Sequence, residues 1–373
     1  MKKSILLLII LILVKITAQA QTEKQFKFEI DGTIKADSGK ITLMFESDYN
    51  ENKLGKLVTT VKNNKFSFSG FLSEPQGVTI YSDGGYRSAP FVIENGVQTV
   101  AINKDERDKV PDVSNSIMQK EYPLYLAFFK QHKRKRDTHD QKYNKIYRDN
   151  NYILPEDIRF KMEKELDILH KEHDKLLLSY TEKNPKSEIA FWRLVSLMGW
   201  GYEPIFDSIY DAFSDNLKNG DAGRVLKSKL LEGKQLSVGK HFPLIQCVNK
   251  NNEPFALDLF TDNTFTLVDF WYSGCGPCRA QFEKLKDLHS QFNTKGFEIV
   301  AISIDKERDK QKWENVIETE KLIWKQYWDM NGEESKRLSV RAFPTNFLID
   351  KDGKIIAKNI PLGELNLLLN EKL

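Results

Sequence analysis

The chain has 373 residues, a length that accommodates two or three domains. Its 40% hydrophobic and 29% charged content excludes a collagen, a coiled coil and a disordered chain, and three cysteines in this length exclude a disulfide-stapled small scaffold. The formal charge of +3, from 56 basic against 53 acidic residues, invites a weakly basic partner surface.

Met1–Ala20 removes that invitation. Lys2 and Lys3 form a basic start, Ile5 to Val14 is an unbroken apolar run of ten, and Ala18-Gln19-Ala20 is a small-x-small cleavage pattern. The run ends at Lys15 and falls short of the roughly 20 residues that span a bilayer, so a cleaved signal peptide is expected rather than an anchor. No cysteine lies near the cut to accept a lipid. The expected product is an exported protein of the periplasm or cell envelope, where disulfides persist. Losing Lys2, Lys3 and Lys15 leaves 53 basic and 53 acidic residues, which argues against a nucleic-acid partner.

Residues 21–113 read as an all-β domain, a small sandwich or barrel. Phe26, Phe28 and Ile30 alternate, as do Ile41, Leu43 and Phe45, then Leu57, Thr59 and Val61. Phe66 and Phe68 resume the period, and Val78 and Ile80 mark another strand. Lys62-Asn63-Asn64-Lys65 and Glu94-Asn95-Gly96 are expected as hairpin turns. Cysteine, histidine and a phosphate-binding glycine loop are all missing from this stretch, so a structural or binding module is expected.

Residues 114–235 form a helical region. Leu166, Leu169, Leu176 and Leu177 share a face with His170 and His173, Ile189 to Met198 is amphipathic after Ser187, and Asp207 to Leu217 reads as a third helix. The basic run His132 to Arg136 is closely followed by acids and reads as a solvated helix face. His170 and His173 lack a third metal ligand and read as surface or core-edge residues. Glu232-Gly233-Lys234 and Val238-Gly239-Lys240 mark a linker.

Beyond the linker, residues 236–373 alternate strands and helices as an α/β layer with a mixed sheet. Strands are expected over Phe265–Tyr272, Phe297–Ile304, Leu322–Trp328 and the hairpin around Lys351–Lys354, and helices over Cys278–Phe292, Arg308–Glu320 and Leu362–Leu373. The chemistry lies in Phe270-Trp271-Tyr272-Ser273-Gly274-Cys275-Gly276-Pro277-Cys278-Arg279, between a buried strand and a helix. A cysteine at a helix N-terminus meets free N–H groups and the positive end of the dipole, which favour a thiolate. Such a site lowers the thiol pKa from about 8.5 to about 7. Two intervening residues let the second thiol turn back and close a small disulfide ring. Pro277 lacks only an N–H that has no helical partner there. Cys275 is therefore the attacking thiolate and Cys278 the resolving one.

This segment resembles the active site of the thioredoxin superfamily, and residues 236–373 are similar to the TlpA/ResA-like thiol:disulfide oxidoreductases of bacteria. The resemblance also rests on Gly239–Pro243 as the family's leading strand, Leu267–Trp271 before the cysteines, Ile299–Asp305, and Phe343-Pro344-Thr345 followed by Phe347–Asp350 and Asp352-Gly353. The upstream region is similar to an N-terminal extension common in Bacteroidetes members. The resemblance implies that Asp269, six residues before Cys275, is a buried acid that relays the resolving thiol's proton. It implies a cis bond at Pro344, with Phe343 and Thr345 beside it, where Phe343 offers backbone hydrogen bonds to an extended substrate. Gly274, Gly276 and Pro277 complete the active-site turn.

The chain departs from the pattern. Gly274 stands where a tryptophan is usual, so the aromatic wall beside the nucleophile is expected to be lost. Ala301 stands where thioredoxins carry a lysine, so Asp269 is expected to titrate high. Gln281 and Glu283 replace residues usual after the second cysteine. Cys247 is expected on a strand with Leu244 and Ile245 as a buried inert thiol.

The leading expectation is a reductase of protein disulfides, since Gly276-Pro277 resembles thioredoxin, near −270 mV, rather than oxidants near −120 mV. Its redox group is the cysteine pair, with no added cofactor and no metal, and its electrons come from a membrane donor. Candidate substrates include apocytochrome c cysteines. A disulfide oxidase or isomerase, and a cell-envelope ligand-binding protein with an accessory redox domain, stand as alternatives. A zinc site would need Cys247, His241 or His289 to complete four ligands.

Overall fold

The computed structural model describes residues 25–35, 39–46, 49, 54–151 and 154–373, so the expected signal peptide lies outside the described residues. The alternation from Phe26 sets β1 (Phe26–Ile34), which buries Phe28, Ile30 and Ile34 and exposes Lys27, Asp31 and Thr33. It is followed by β2 (Lys40–Phe45), β3 (Lys56–Thr60), β4 (Lys65–Leu72), β5 (Gln76–Ser82), β6 (Phe91–Ile93), β7 (Gly96–Ile102) and β8 (Asp112–Ser114). These pair as two four-stranded sheets, ordered β4-β1-β7-β8 and β3-β2-β5-β6.

The two predicted hairpins are crossings between these sheets. Asn63 and Asn64 take φ of 51° and 63°, and Lys62 and Lys65 exchange backbone hydrogen bonds of 2.9 and 3.0 Å, so the tight turn forms. The strands then part, because β3 pairs with β2 while β4 pairs with β1. Glu94–Gly96 likewise separates β6, paired with β5, from β7, paired with β1. A tight turn dictates the reversal of the chain, whereas the partner is decided by which neighbour lets a strand bury its apolar face.

The helical part contains α1 (Ile117–Asp149), α2 (Glu156–Lys183), α3 (Glu188–Met198), α4 (Ile205–Asp211), α5 (Asp215–Asn219) and α6 (Asp221–Lys234). The basic run lies on α1 and is matched by acids: Lys133 with Asp137 (2.8 Å), Arg136 with Asp140 (2.9 Å), and Lys135 with Glu172 of α2. Its His132 is buried and bonds the Leu169 carbonyl at 2.9 Å. Ser187 caps α3, accepting the Ala190 N–H at 3.2 Å. One apolar cluster runs from Phe28 and Ile80 in the sheets through Leu177, Leu194, Phe206 and Leu226 in the helices. Gly77 of β5 makes this joint: a Cβ there would meet the Trp192 indole at 2.6 Å.

Two helical expectations change. The stretch Asp207–Leu217 is broken between α4 and α5, where Phe213 turns into the core and the Ser214 N–H bonds Pro185 O at 2.8 Å. Glu232–Lys234 is not linker but the end of α6, with Gly233 buried.

The last part contains β9 (Val248–Asn249), β10 (Phe265–Trp271), α7 (Gly276–Arg279), α8 (Phe282–Phe292), β11 (Phe297–Ser303), α9 (Lys310–Thr319), β12 (Lys325–Trp328), α10 (Glu333–Arg337), β13 (Thr345–Asp350), β14 (Ile355–Lys358) and α11 (Leu362–Lys372). The six strands form one sheet, ordered β14-β13-β10-β11-β12-β9. It is mixed: β10, β11 and β12 run parallel and the others antiparallel. One face packs Leu267, Trp271, Leu348, Cys275 and Cys278 against α8, α9 and α11, and the other packs Val268, Phe270 and Phe347 against Phe242 and Phe260. This is the thioredoxin-like architecture with a strand-rich and then helical region before it.

Three local expectations are corrected. The predicted helix from Cys278 to Phe292 is interrupted at Ala280-Gln281, leaving α7 a single turn. Gly239–Pro243 is no strand; it holds the sheet edge through a bridge from His241 to Lys354 and backbone bonds of 2.8 Å to Ile355 and Gly353. Cys247 precedes β9 rather than lying on a strand with Leu244, which is exposed.

Candidate active site

Strand β10 delivers the site. Its apolar residues bury it on both faces, and it ends at Trp271. The chain then turns tightly, with the Cys275 N–H bonding Tyr272 O at 2.9 Å. Buried Asp305 pins this turn: it accepts the Ser273 N–H at 2.8 Å and the Ser273 hydroxyl at 2.6 Å. Asp305 is held in turn by the Ser303 hydroxyl at 2.6 Å, and the Trp328 indole N–H bonds its carbonyl at 2.8 Å.

Cys275 caps α7 and is joined to Cys278 by a disulfide with the two Cα atoms 5.3 Å apart. The Cys278 N–H points at Cys275 Sγ, 3.1 Å away. Because α7 is one turn long, this N–H, rather than a long helix dipole, is the local donor for negative charge on that sulfur. Both cysteines are buried as residues, while Gly274, Gly276 and Pro277 around them are exposed.

The expected loss of an aromatic wall is corrected. Tyr272 leans over Gly274, where a Cβ would stand 3.5 Å from its ring, and its edge meets Phe343 at 5.9 Å and 89°. Two aromatic rings from separate loops therefore flank the turn. The Phe343-Pro344 peptide is cis. Thr345 follows at the start of β13, opposite Phe270, with its hydroxyl bonded to Ala342 O at 2.8 Å.

Asp269 lies inside the sheet at 3% exposure, between Ala301 of β11 and Asn346 of β13. Burial alone pushes its carboxyl up from 3.8 to about 7. Asn346 fastens the far side, its amide exchanging bonds of 2.9 and 3.2 Å with the Ile360 backbone. Cys247 is apart from this site at 3% exposure; burial, with Asp329 and Glu334 nearby, pushes its thiol far up. The histidines considered for zinc are engaged elsewhere, His241 with Asp352 O at 3.1 Å and His289 with Glu298 at 2.8 Å. Among the described residues, no three His, Cys, Asp or Glu side chains are grouped to hold a metal ion.

Residues 238–358 match the AhpC/TSA family. Over 122 residues the chain is 30% identical to the thiol-disulfide oxidoreductase ResA of Bacillus thuringiensis subsp. konkukian, covering 33% of this chain and 69% of that protein. This chain belongs to the thiol-disulfide oxidoreductases. The sporulation thiol-disulfide oxidoreductase A of Bacillus subtilis is 26% identical over 91 residues, 24% of this chain and 55% of that protein. A solved thioredoxin domain of a Bacteroides vulgatus thiol-disulfide oxidoreductase is 29% identical, covers 36% of this chain and 97% of its own, and superposes with a TM-score of 0.34. Residues 28–122 of this oxidoreductase match a domain of unknown function, DUF4369.

The structure joins the two predicted cysteines in a disulfide, buries Asp269 and makes the Phe343-Pro344 bond cis. From the sequence Tyr272, Ser273, Asp305 and Asn346 carried no individual role. Asp305 lies two residues past the β-rich run Phe297–Ser303, and an acid just after a buried strand was the available signal.

Proposed function

We propose that the chain is an exported reductase of protein disulfides that works by dithiol–disulfide exchange at Cys275 and Cys278. The observation that carries this reading is the Cys275–Cys278 disulfide capping α7, with the Cys278 N–H 3.1 Å from Cys275 Sγ. In the reduced enzyme the same N–H stabilises a Cys275 thiolate. That thiolate attacks one sulfur of a substrate disulfide, forming a mixed disulfide and releasing the other substrate sulfur as a thiolate. Cys278 gives its proton to the Asp269 carboxylate and attacks Cys275 Sγ. The second substrate thiol leaves, the Cys275–Cys278 bond closes, and two electrons have passed to the substrate.

Asp269 suits the relay because a carboxyl near pH 7 exists in both proton states under working conditions. Phe343 and the cis Pro344 supply a backbone edge for an extended substrate, with Tyr272 beside it. The basic and apolar pattern of Met1–Ala20 supports export to the periplasm or cell envelope. There the pair depends on a membrane donor for re-reduction. The Gly276-Pro277 dipeptide supports the reducing direction.

The test is the redox potential of the Cys275–Cys278 pair together with insulin reduction. A potential near −270 mV and turnover abolished by Cys275→Ser are expected; a value above about −150 mV assigns the protein to the oxidases instead.

A further inference from the structure

A cleft of about 1110 Å³, which neither Cys275 nor Cys278 lines, opens between α1, α2, α3, the start of α4 and the β6 edge, with Asn359 beyond β14 also lining it. Its size is that of a small-molecule site. Tyr122, Tyr125, Phe129, Trp192 and Leu197 give it an aromatic and apolar wall. Several charges on its rim pair among themselves or with close neighbours: Lys133 with Asp137 at 2.8 Å, Lys171 with Asp167 at 2.7 Å, Arg136 with Asp140 at 2.9 Å and Glu203 with Lys358 at 3.5 Å.

Arg193 differs from these. It is half-buried in the wall and pairs with no carboxylate among the described residues. Its Nε–H donates to His173 Nε2 at 3.4 Å, and His173 Nδ1 lies 3.0 Å from the carboxylate of buried Asp174. This chain needs a neutral imidazole with its proton on Nδ1, and burial of His173 favours the neutral ring. Arg193 is thereby oriented through Nε, while its two terminal nitrogens have no protein acceptor among the described residues. Its charge is felt at the Tyr122 and Tyr125 hydroxyls and at His170, which puts it among the groups of the wall. A guanidinium drawn partly out of water, with the nearest carboxylate of its network (Asp174) one imidazole away and none in direct contact, is left under-paired, and a planar anion would meet its fork with two parallel hydrogen bonds.

We propose that this cleft binds a small amphipathic acid, with its carboxylate on Arg193 and its apolar body along the wall of Tyr122, Tyr125, Phe129 and Trp192. The site is independent of the redox chemistry and draws on four of the helices, the β6 edge and Asn359.

The test is calorimetric titration of the whole protein with decanoate and with decan-1-ol, which share a chain and differ in charge. Decanoate is expected to bind about ten- to a hundredfold more tightly than the alcohol, the range of a charge-assisted pair. Arg193→Gln is expected to bring decanoate down to the alcohol's affinity, and Arg193→Lys to restore part of the difference. Equal affinities in the unaltered protein, or absence of binding by both at millimolar concentration, would overturn the proposal. The comparison in the unaltered protein decides it even if the variants fold poorly.

Discussion

Asp269 of β10 stands directly opposite Ala301 of β11, so the buried carboxyl faces a methyl group on the strand where a cation would offset its charge. The register makes the two side chains share one face of the sheet, the face that also packs the cysteines. With burial as the cause, the carboxyl rises to about 7.

That rise fixes the sign of two pH dependences. The folded state holds the Asp269 proton more tightly than the unfolded chain, so its stabilising effect is complete below about pH 4 and is lost as pH rises through 7. Between pH 5 and pH 8 the protein should lose about 2–3 kcal/mol from this group. Asp269→Asn should flatten that loss in urea unfolding at the two pH values. Insulin reduction should rise through pH 7 as the base ionises, and Asp269→Asn should lower it about a hundredfold above that pH. An unchanged pH–rate profile in the variant would remove Asp269 from the relay.

Asp305 is predicted to be the anchor of the active-site turn. Asp305→Ala leaves the Ser273 N–H, the Ser273 hydroxyl and the Ser303 hydroxyl without their acceptor, which should cost about 3–5 kcal/mol of stability. Asp305→Asn keeps one acceptor oxygen and should cost less. Denaturant melts that place the alanine variant level with the unaltered protein would contradict this role.

Tyr272 is predicted to act on substrate rather than on the sulfur chemistry. Tyr272→Ala deletes its edge-on contact with Phe343, worth about 1 kcal/mol. Its KM for insulin should rise about fivefold, with reduction of a small disulfide such as oxidised glutathione unaffected. A matching loss with both substrates would assign the ring to holding the turn instead.

Cys247 is predicted to be silent. In the reduced, folded protein, iodoacetamide should label Cys275 and spare Cys247, whose buried thiol resists ionisation. Mass spectrometry of the labelled peptides reads this directly. Fast labelling at Cys247 in the native state would reopen a regulatory disulfide there.

Much of the redox site was legible because its signals are local. Cys275, Pro277 and Cys278 lie within one helical turn, and an acid inside the apolar run Phe265–Tyr272 is conspicuous without any partner. Tyr272 and Phe343 were not legible as a pair, being 71 positions apart and brought together by the β10–β13 pairing. A related limit explains the mistaken hairpins: Asn63-Asn64 announces a turn, but β3 pairs back onto β2 and β4 onto β1, a choice of partner that the turn residues do not carry.

The sequence by itself determined the two-residue spacing of Cys275 and Cys278 at a strand-to-helix turn, the alternation of the strands and the near-neutral charge left once Met1–Ala20 is set aside. The tertiary structure alone decided that the strand-rich and helical regions share one core, that Asp305 ties down Ser273, and that Arg193 lines an aromatic cleft, held by His173 rather than by a carboxylate. The division has a physical cause. Turn and helix-start preferences act over a few bonds, whereas burial, and the electrostatic cost that comes with it, depends on every element packed around a group.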